Sequence, residues 1–153
     1  MVSSSALLLA SAISASALAY PESHLAARQS ACAGTHIFLA PGNNEILPGR
    51  QANLVNVICD GNDSCDWEGI EYAHMAGDEY CGSVTQGAAN GQAQIAAYNQ
   101  RCPDSNIVVS GYSQGAHVVG DIIGGGGGTF FNNCVQKANA GIDPNSAAGR
   151  KSM

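Results

Sequence analysis

Charged side chains are scarce in this sequence. Asp, Glu, Lys and Arg make up 12% of the 153 residues, and six basic residues face twelve acidic ones, for a net charge of −6. Neutralising phosphates requires a basic surface, so nucleic acid is excluded as a partner. Long apolar runs are lacking too. Beyond the N-terminal segment nothing approaches the roughly 20 apolar residues that span a bilayer, and no membrane partner is expected. Metal-ligand spacing is also missing: no paired CxxC or His arrangement occurs, so neither a metal nor another cofactor is called for.

What is present suits a globular secreted domain. The hydrophobic fraction of 45% argues against disorder, and nineteen glycines belong in turns and close backbone approaches. Residues 6–9 (ALLL) open an apolar stretch that runs through small residues to Ala17-Leu18-Ala19, a small-x-small cleavage pattern. Ser11, Ser14 and Ser16 dilute that stretch as a membrane anchor. Residues 1–19 therefore read as a signal peptide, 20–31 as a short pro-segment and 32–153 as the domain, with an extracellular destination. Six cysteines follow: Cys32, Cys59, Cys65, Cys81, Cys102 and Cys134. An even count behind a secretion signal predicts disulfides, and the connectivity stays open. Cys59 and Cys65 are near enough to close a small loop. It contains Asn62-Asp63-Ser64, a sequon that makes Asn62 a glycosylation candidate on the surface.

Along the chain, residues 35–40 (THIFLA) form an apolar run stopped by Pro41-Gly42 and read as a buried strand. Residues 47–59 read as a helix and 67–72 as a second strand. In residues 83–102, Val84, Ala88, Gly91, Ile95, Tyr98 and Cys102 mark one helical face, and Pro103 ends it. Residues 106–110 (NIVVS) are β-branched and too short for a helix, which predicts a third, buried strand. A second helical pattern covers 116–123, and the glycines at 124–128 terminate it. The remainder contains no convincing strand. Strands alternating with helices imply right-handed crossovers and a parallel sheet covered on both faces.

The chemistry concentrates at Gly111-Tyr112-Ser113-Gln114-Gly115. G-x-S-x-G is weak by itself in so glycine-rich a chain. Here a β-branched strand precedes it and an apolar-periodic helix follows, a setting that a glycine-rich surface loop would not need. Such an elbow lifts a serine hydroxyl off the sheet and aims the next backbone N–H, that of Gln114, at a developing oxyanion.

The longer run Pro103-Asp104-Ser105-Asn106-Ile107-Val108-Val109-Ser110-Gly111-Tyr112-Ser113-Gln114-Gly115 resembles the signature of fungal cutinases, a family that includes acetylxylan esterases. The positions of Cys32 and of Cys102-Pro103 agree with it, and the resemblance spans residues 32–150. It implies a small lidless α/β-hydrolase, a three-layer α/β/α fold with a parallel sheet, and a Ser-Asp-His triad. It also implies a Cys32–Cys102 disulfide, Ser113 as nucleophile and Gln114 as one oxyanion donor. The family loop Ala-Arg-Gly-Ser/Thr-Thr-Glu corresponds here to Ala40-Pro41-Gly42-Asn43-Asn44-Glu45. Asn43 replaces the family's Ser or Thr as the second oxyanion donor, with a plain turn residue as the competing reading.

A serine hydroxyl needs a base and an orienting carboxylate. His117 follows Ser113 by four residues and reads as a packing or surface residue of the flanking helix. His24, His36 and His74 lie in the pro-segment, the first strand and a loop. Asp143 precedes a proline as the family's acid does, yet no hydrophobic strand leads to it, so it reads as a loop residue. The family pattern continues with a strand, an Asp turn, cysteines and a His loop. The expectation is therefore a fold incomplete at the C-terminus, with Cys81 or Cys134 deprived of a partner. The leading function is a monomeric secreted serine esterase acting on cutin-like polyester, short acyl esters or acetylated xylan. The alternative is an inactive truncated secreted protein that serves as a binding module or elicitor.

Overall fold

A computed structural model of the chain describes residues 32–75, 77, 79–130, 133–143 and 145, which belong to one unit, Cys32–Met153. The signal peptide and pro-segment read from the sequence lie outside the described residues. The elements in order are β1 (Thr35–Ala40), a 3-10 turn (Gly49–Gln51), α1 (Ala52–Cys59), β2 (Cys65–Gly69), α2 (Tyr80–Arg101), β3 (Asn106–Gly111), α3 (Gln114–Gly124), β4 (Gly125–Thr129) and β5 (Val135–Ala140). The first three strands form a parallel sheet in the order β2-β1-β3, with Thr35 opposite both Cys65 and Asn106.

Strand β1 explains the layering. Successive side chains of a strand point to opposite faces. Ile37 and Leu39 meet Val55, Leu47 and Ile58 on the α1 side, while Phe38 and Ala40 join the larger core under α2 and α3. Both faces are therefore covered, which is why THIFLA carries no alternation and reads as one apolar run. The helical face drawn from Val84 to Cys102 is buried throughout. A Cβ on Gly87 would come within 2.9 Å of Val118, and one on Gly91 would strike Ile122, so α2 and α3 pack through glycine. Helix α2 starts three residues before the predicted position because Glu79 caps it, accepting from Cys81 N–H (2.8 Å) and Gly82 N–H (2.5 Å).

Side-chain amides on α2 fasten what surrounds it. Gln94 Oε1 accepts Glu71 N–H (3.0 Å), Asn90 Nδ2 donates to Glu71 O (2.6 Å) and Gln86 Oε1 accepts Ala73 N–H (2.8 Å). Spaced by four, these three residues stand one above another and lace the loop after β2 to the helix. On another side, Gln92 Nε2 donates to Ile122 O (3.1 Å) and Ala140 O (2.7 Å), joining α3 and β5.

After α3 the structure departs from the sequence expectation. The glycines at 124–128 do end the helix, yet Gly125–Thr129 itself forms β4, and residues judged unfit for a strand form β5, its antiparallel partner. Apolar side chains were the wrong criterion, since this hairpin is held through backbone. Gly125, Gly127 and Gly128 have φ of 79°, 130° and 126°, conformations open to glycine alone at low cost. A further departure concerns cysteine: Cys81 and Cys134 are bonded to each other, tying the start of α2 to the hairpin. Cys32–Cys102 and Cys59–Cys65 are the other two disulfides. Three such bonds persist in oxidising surroundings and fit an extracellular protein. Among the described residues no helix is long and apolar enough to cross a membrane.

Candidate active site

Strand β3 ends at Gly111 and α3 begins at Gln114, so the chain must reverse within two residues. It does so at Ser113, whose φ of 54° and ψ of −118° lie where a residue with a Cβ is strained. Such strain costs about 1–3 kcal/mol and persists only where the surroundings impose it. The two glycines show what imposes it. A Cβ on Gly111 would overlap the Gly115 carbonyl and stand 2.8 Å from Ala116 N; one on Gly115 would strike Ala40 O and lie 2.6 Å from Pro41 O. Both obstacles are backbone and cannot rotate away. Gly115→Ala is accordingly expected to lose about 3 kcal/mol of stability, read as a shifted midpoint in urea unfolding.

Ser113 is exposed, and its side chain does not cap α3. The hydroxyl therefore stays available, and the first amide of the helix, Gln114 N–H, has no partner within α3. The positive end of the helix dipole favours negative charge at the same point.

The loop after β1 forms the facing wall. Glu45 N–H donates to Gly42 O (3.2 Å), closing a turn with Asn43 and Asn44 at its tip. Asn43 is thus a turn residue, and its Nδ2 also approaches Gln114 Oε1 at 3.5 Å. Together Asn43, Asn44, Glu45, Ile46, Arg50, Tyr112 and Ser113 line most of a cleft of about 590 Å³.

Two supports of this wall were not legible in the sequence. Gln51 is buried beneath the elbow, donating from Nε2 to Ala40 O (3.0 Å) and accepting the Ser110 hydroxyl at Oε1 (2.7 Å). It links the ends of β1 and β3 from a helix start where no periodicity marks a buried amide. Tyr72, also buried, donates its hydroxyl to Pro41 O. Burial first, then the charge of Glu45 and the neighbouring Tyr80, raise the Tyr72 pKa well above its usual value. The folded state thus holds a proton that the unfolded chain releases near pH 10. Stability is expected to be unaffected below that pH and to fall as pH rises above it. Unfolding of a Tyr72→Phe variant between pH 8 and about 11 checks this, since the alkaline decline should flatten.

The three described histidines stand elsewhere, and His24 lies outside the described residues. His36, near the N-terminal end of β1, bonds Asp66 through Nδ1 (2.5 Å) and stacks on Tyr98 at 3.8 Å. His117 places Nδ1 at 3.1 Å from Tyr80 Oη and Nε2 at 3.6 Å from the buried Asp121, with its ring against Phe130. His74 accepts Asn44 N–H at its backbone carbonyl (2.5 Å) and leans on Tyr72. Among the described residues no imidazole bonds to Ser113. Asp143 lies in the segment after β5, accepting Asn145 N–H at 2.9 Å. Asn62, in the small disulfide loop, accepts Ser64 N–H (3.1 Å) and donates to Thr35 Oγ1 of β1 (3.2 Å).

Comparison with known proteins places this fold in a family. The cutinase family model matches residues 31–142. The chain belongs to the cutinase family. A cutinase of Coprinopsis cinerea is 34% identical over 110 residues, covering 67% of this chain and 54% of that one. Acetylxylan esterase 2 of Talaromyces purpureogenus is 31% identical over 105 residues, covering 66% and 41%. Among solved structures, the catalytic core domain of acetyl xylan esterase from Trichoderma reesei superposes with a TM-score of 0.67 at 25% identity, covering 80% of this chain and 61% of that one. The cutinase-family match includes the whole elbow, and the shared fold is the α/β-hydrolase sheet with its covering helices. The chain spans about half the length of the sequence relatives it matches.

Proposed function

We propose that this chain carries the nucleophile and oxyanion site of a secreted, monomeric serine carboxylic ester hydrolase of cutinase or acetylxylan esterase type. The carrying observation is Ser113 in a strained conformation, its hydroxyl exposed on a cleft and the first amide of α3 next to it in the chain. In this reading Ser113 Oγ bonds to the ester carbonyl carbon, and the carbonyl oxygen becomes an anion facing Gln114 N–H and Asn43. The C–O bond to the alcohol breaks, and the alcohol leaves with the serine proton. Water then cleaves the acyl-serine bond to release the acid. The base and its carboxylate partner are to be sought outside the described residues. Suitable substrates are cutin-like polyesters, short acyl esters or acetylated xylan; the leader pattern and three disulfides support secretion.

The absence of an imidazole against Ser113 among the described residues favours a second reading, a non-catalytic secreted binding module or elicitor with this fold. Hydrolysis of p-nitrophenyl acetate by the chain and by Ser113→Ala separates the two, with esterolysis expected only where Ser113 is present.

A further inference from the structure

The cleft beside Ser113 is lined by one cation, and its chemistry suits a particular ligand. Arg50 and Tyr112 both line it. The Arg50 guanidinium carbon stands 5.1 Å from the centroid of the Tyr112 ring. A cation at that distance over a tyrosine face is held electrostatically, which aims a side chain that would otherwise sample many rotamers. Among the described residues the Arg50 guanidinium has no carboxylate or side-chain hydrogen-bond partner. Its N–H donors lie in the plane, at the edge, and match the two oxygens of a carboxylate.

Glu45, the other charged residue lining the cleft, has both oxygens bonded to backbone. Oε2 accepts Gly42 N–H (2.7 Å) and Oε1 accepts Arg50's own N–H (2.8 Å). The placement is also uneven. Arg50, Arg101 and Lys137 are the three basic side chains among the described residues of a chain with net charge −6, and one of them lies at the serine.

We propose that Arg50 is a specificity-determining residue that selects esters carrying a carboxylate elsewhere in the molecule. This deepens the ester-hydrolase reading and rests on it. Two natural chemistries offer such a group: the acid terminus of a hydroxy-acid polyester chain, and a uronic acid within an acylated carbohydrate.

The kinetic test compares mono-p-nitrophenyl adipate with p-nitrophenyl hexanoate, which have the same six-carbon acyl chain with and without a terminal carboxylate. The ratio of kcat/KM, charged over neutral, is expected to be about tenfold higher in the native chain than in Arg50→Gln. Arg50→Lys should recover part of it, and salt at about 0.5 M should shrink it. An equal ratio in the native chain and Arg50→Gln overturns the proposal. So does a fall in both rates by one factor, which would make Arg50 only a prop for Tyr112.

Binding is measured separately on Ser113→Ala, by calorimetry with monomethyl and dimethyl adipate, then with acetylated methyl glucuronoside and acetylated methyl glucoside. Loss of all hydrolysis would count against the ester-hydrolase reading, whereas these titrations still decide whether Arg50 prefers an anion. A larger charge preference in the adipate pair identifies a polyester terminus, and in the sugar pair a uronic acid. No preference in either pair overturns the assignment.

Discussion

Ser113→Ala is expected to lower kcat for p-nitrophenyl acetate by about 10³-fold or more, toward the rate that oxyanion donors and binding alone supply. The size follows from what each part of such a site supplies. Oxyanion donors and binding alone leave about 10³- to 10⁴-fold over water, and an assembled nucleophile and base add further orders of magnitude. The described residues provide the exposed hydroxyl, the first amide of α3 next to it in the chain, and the cleft. The native rate is therefore informative beside the variant's. A rate far above the oxyanion contribution means that a base reaches Ser113 from outside the described residues. A small rate still lost in Ser113→Ala means a nucleophile working without one. Equal hydrolysis by the two proteins would remove Ser113 from the chemistry, and no hydrolysis by either would favour the binding-module reading. Stability should be kept, because alanine fills the same strained φ and Ser113 makes no cap for α3 to lose.

Removing the Cys32–Cys102 disulfide is expected to cost about 4 kcal/mol, the chain-entropy value for a loop of this size. The bond joins residues separated by 70 positions, enclosing β1, α1, β2 and α2 between its ends. Without it, the unfolded chain regains the freedom of that loop, while the folded core, including the buried Cys102 side, loses packing as well. A domain of this size has about 5–15 kcal/mol in total, so the double Cys→Ser variant should unfold at a far lower urea midpoint. Cys59–Cys65 spans six positions, and its removal should cost roughly half as much by the same relation. Equal losses from the two deletions would show that native contacts around the sulfurs, rather than loop closure, set the effect.

How far the sequence reaches depends on what kind of contact decides each feature. Strand β1 was legible because both its faces are covered, which makes it one short apolar run, and β3 because it is a β-branched run. The long α2 face was legible because Val84 to Cys102 follow one stripe at helical period. The elbow was legible because only glycine can stand where Gly111 and Gly115 meet backbone. The hairpin β4-β5 was not, since its pairing uses backbone groups that every sequence possesses, and glycines normally argue for a turn.

By itself the sequence determined the family, the sheet and the residue that carries the reacting hydroxyl in the proposed chemistry, since each rests on local patterns of burial and on steric demands at single positions. Only the tertiary structure decided that Gln51 braces the elbow, that Tyr72 holds the facing loop, that Cys81 meets Cys134 and that Arg50 lies over Tyr112. Each of these joins groups distant along the chain, or displaced by a turn, through side chains that carry no period. Such contacts exist only once β1, β3 and their loops have been brought side by side.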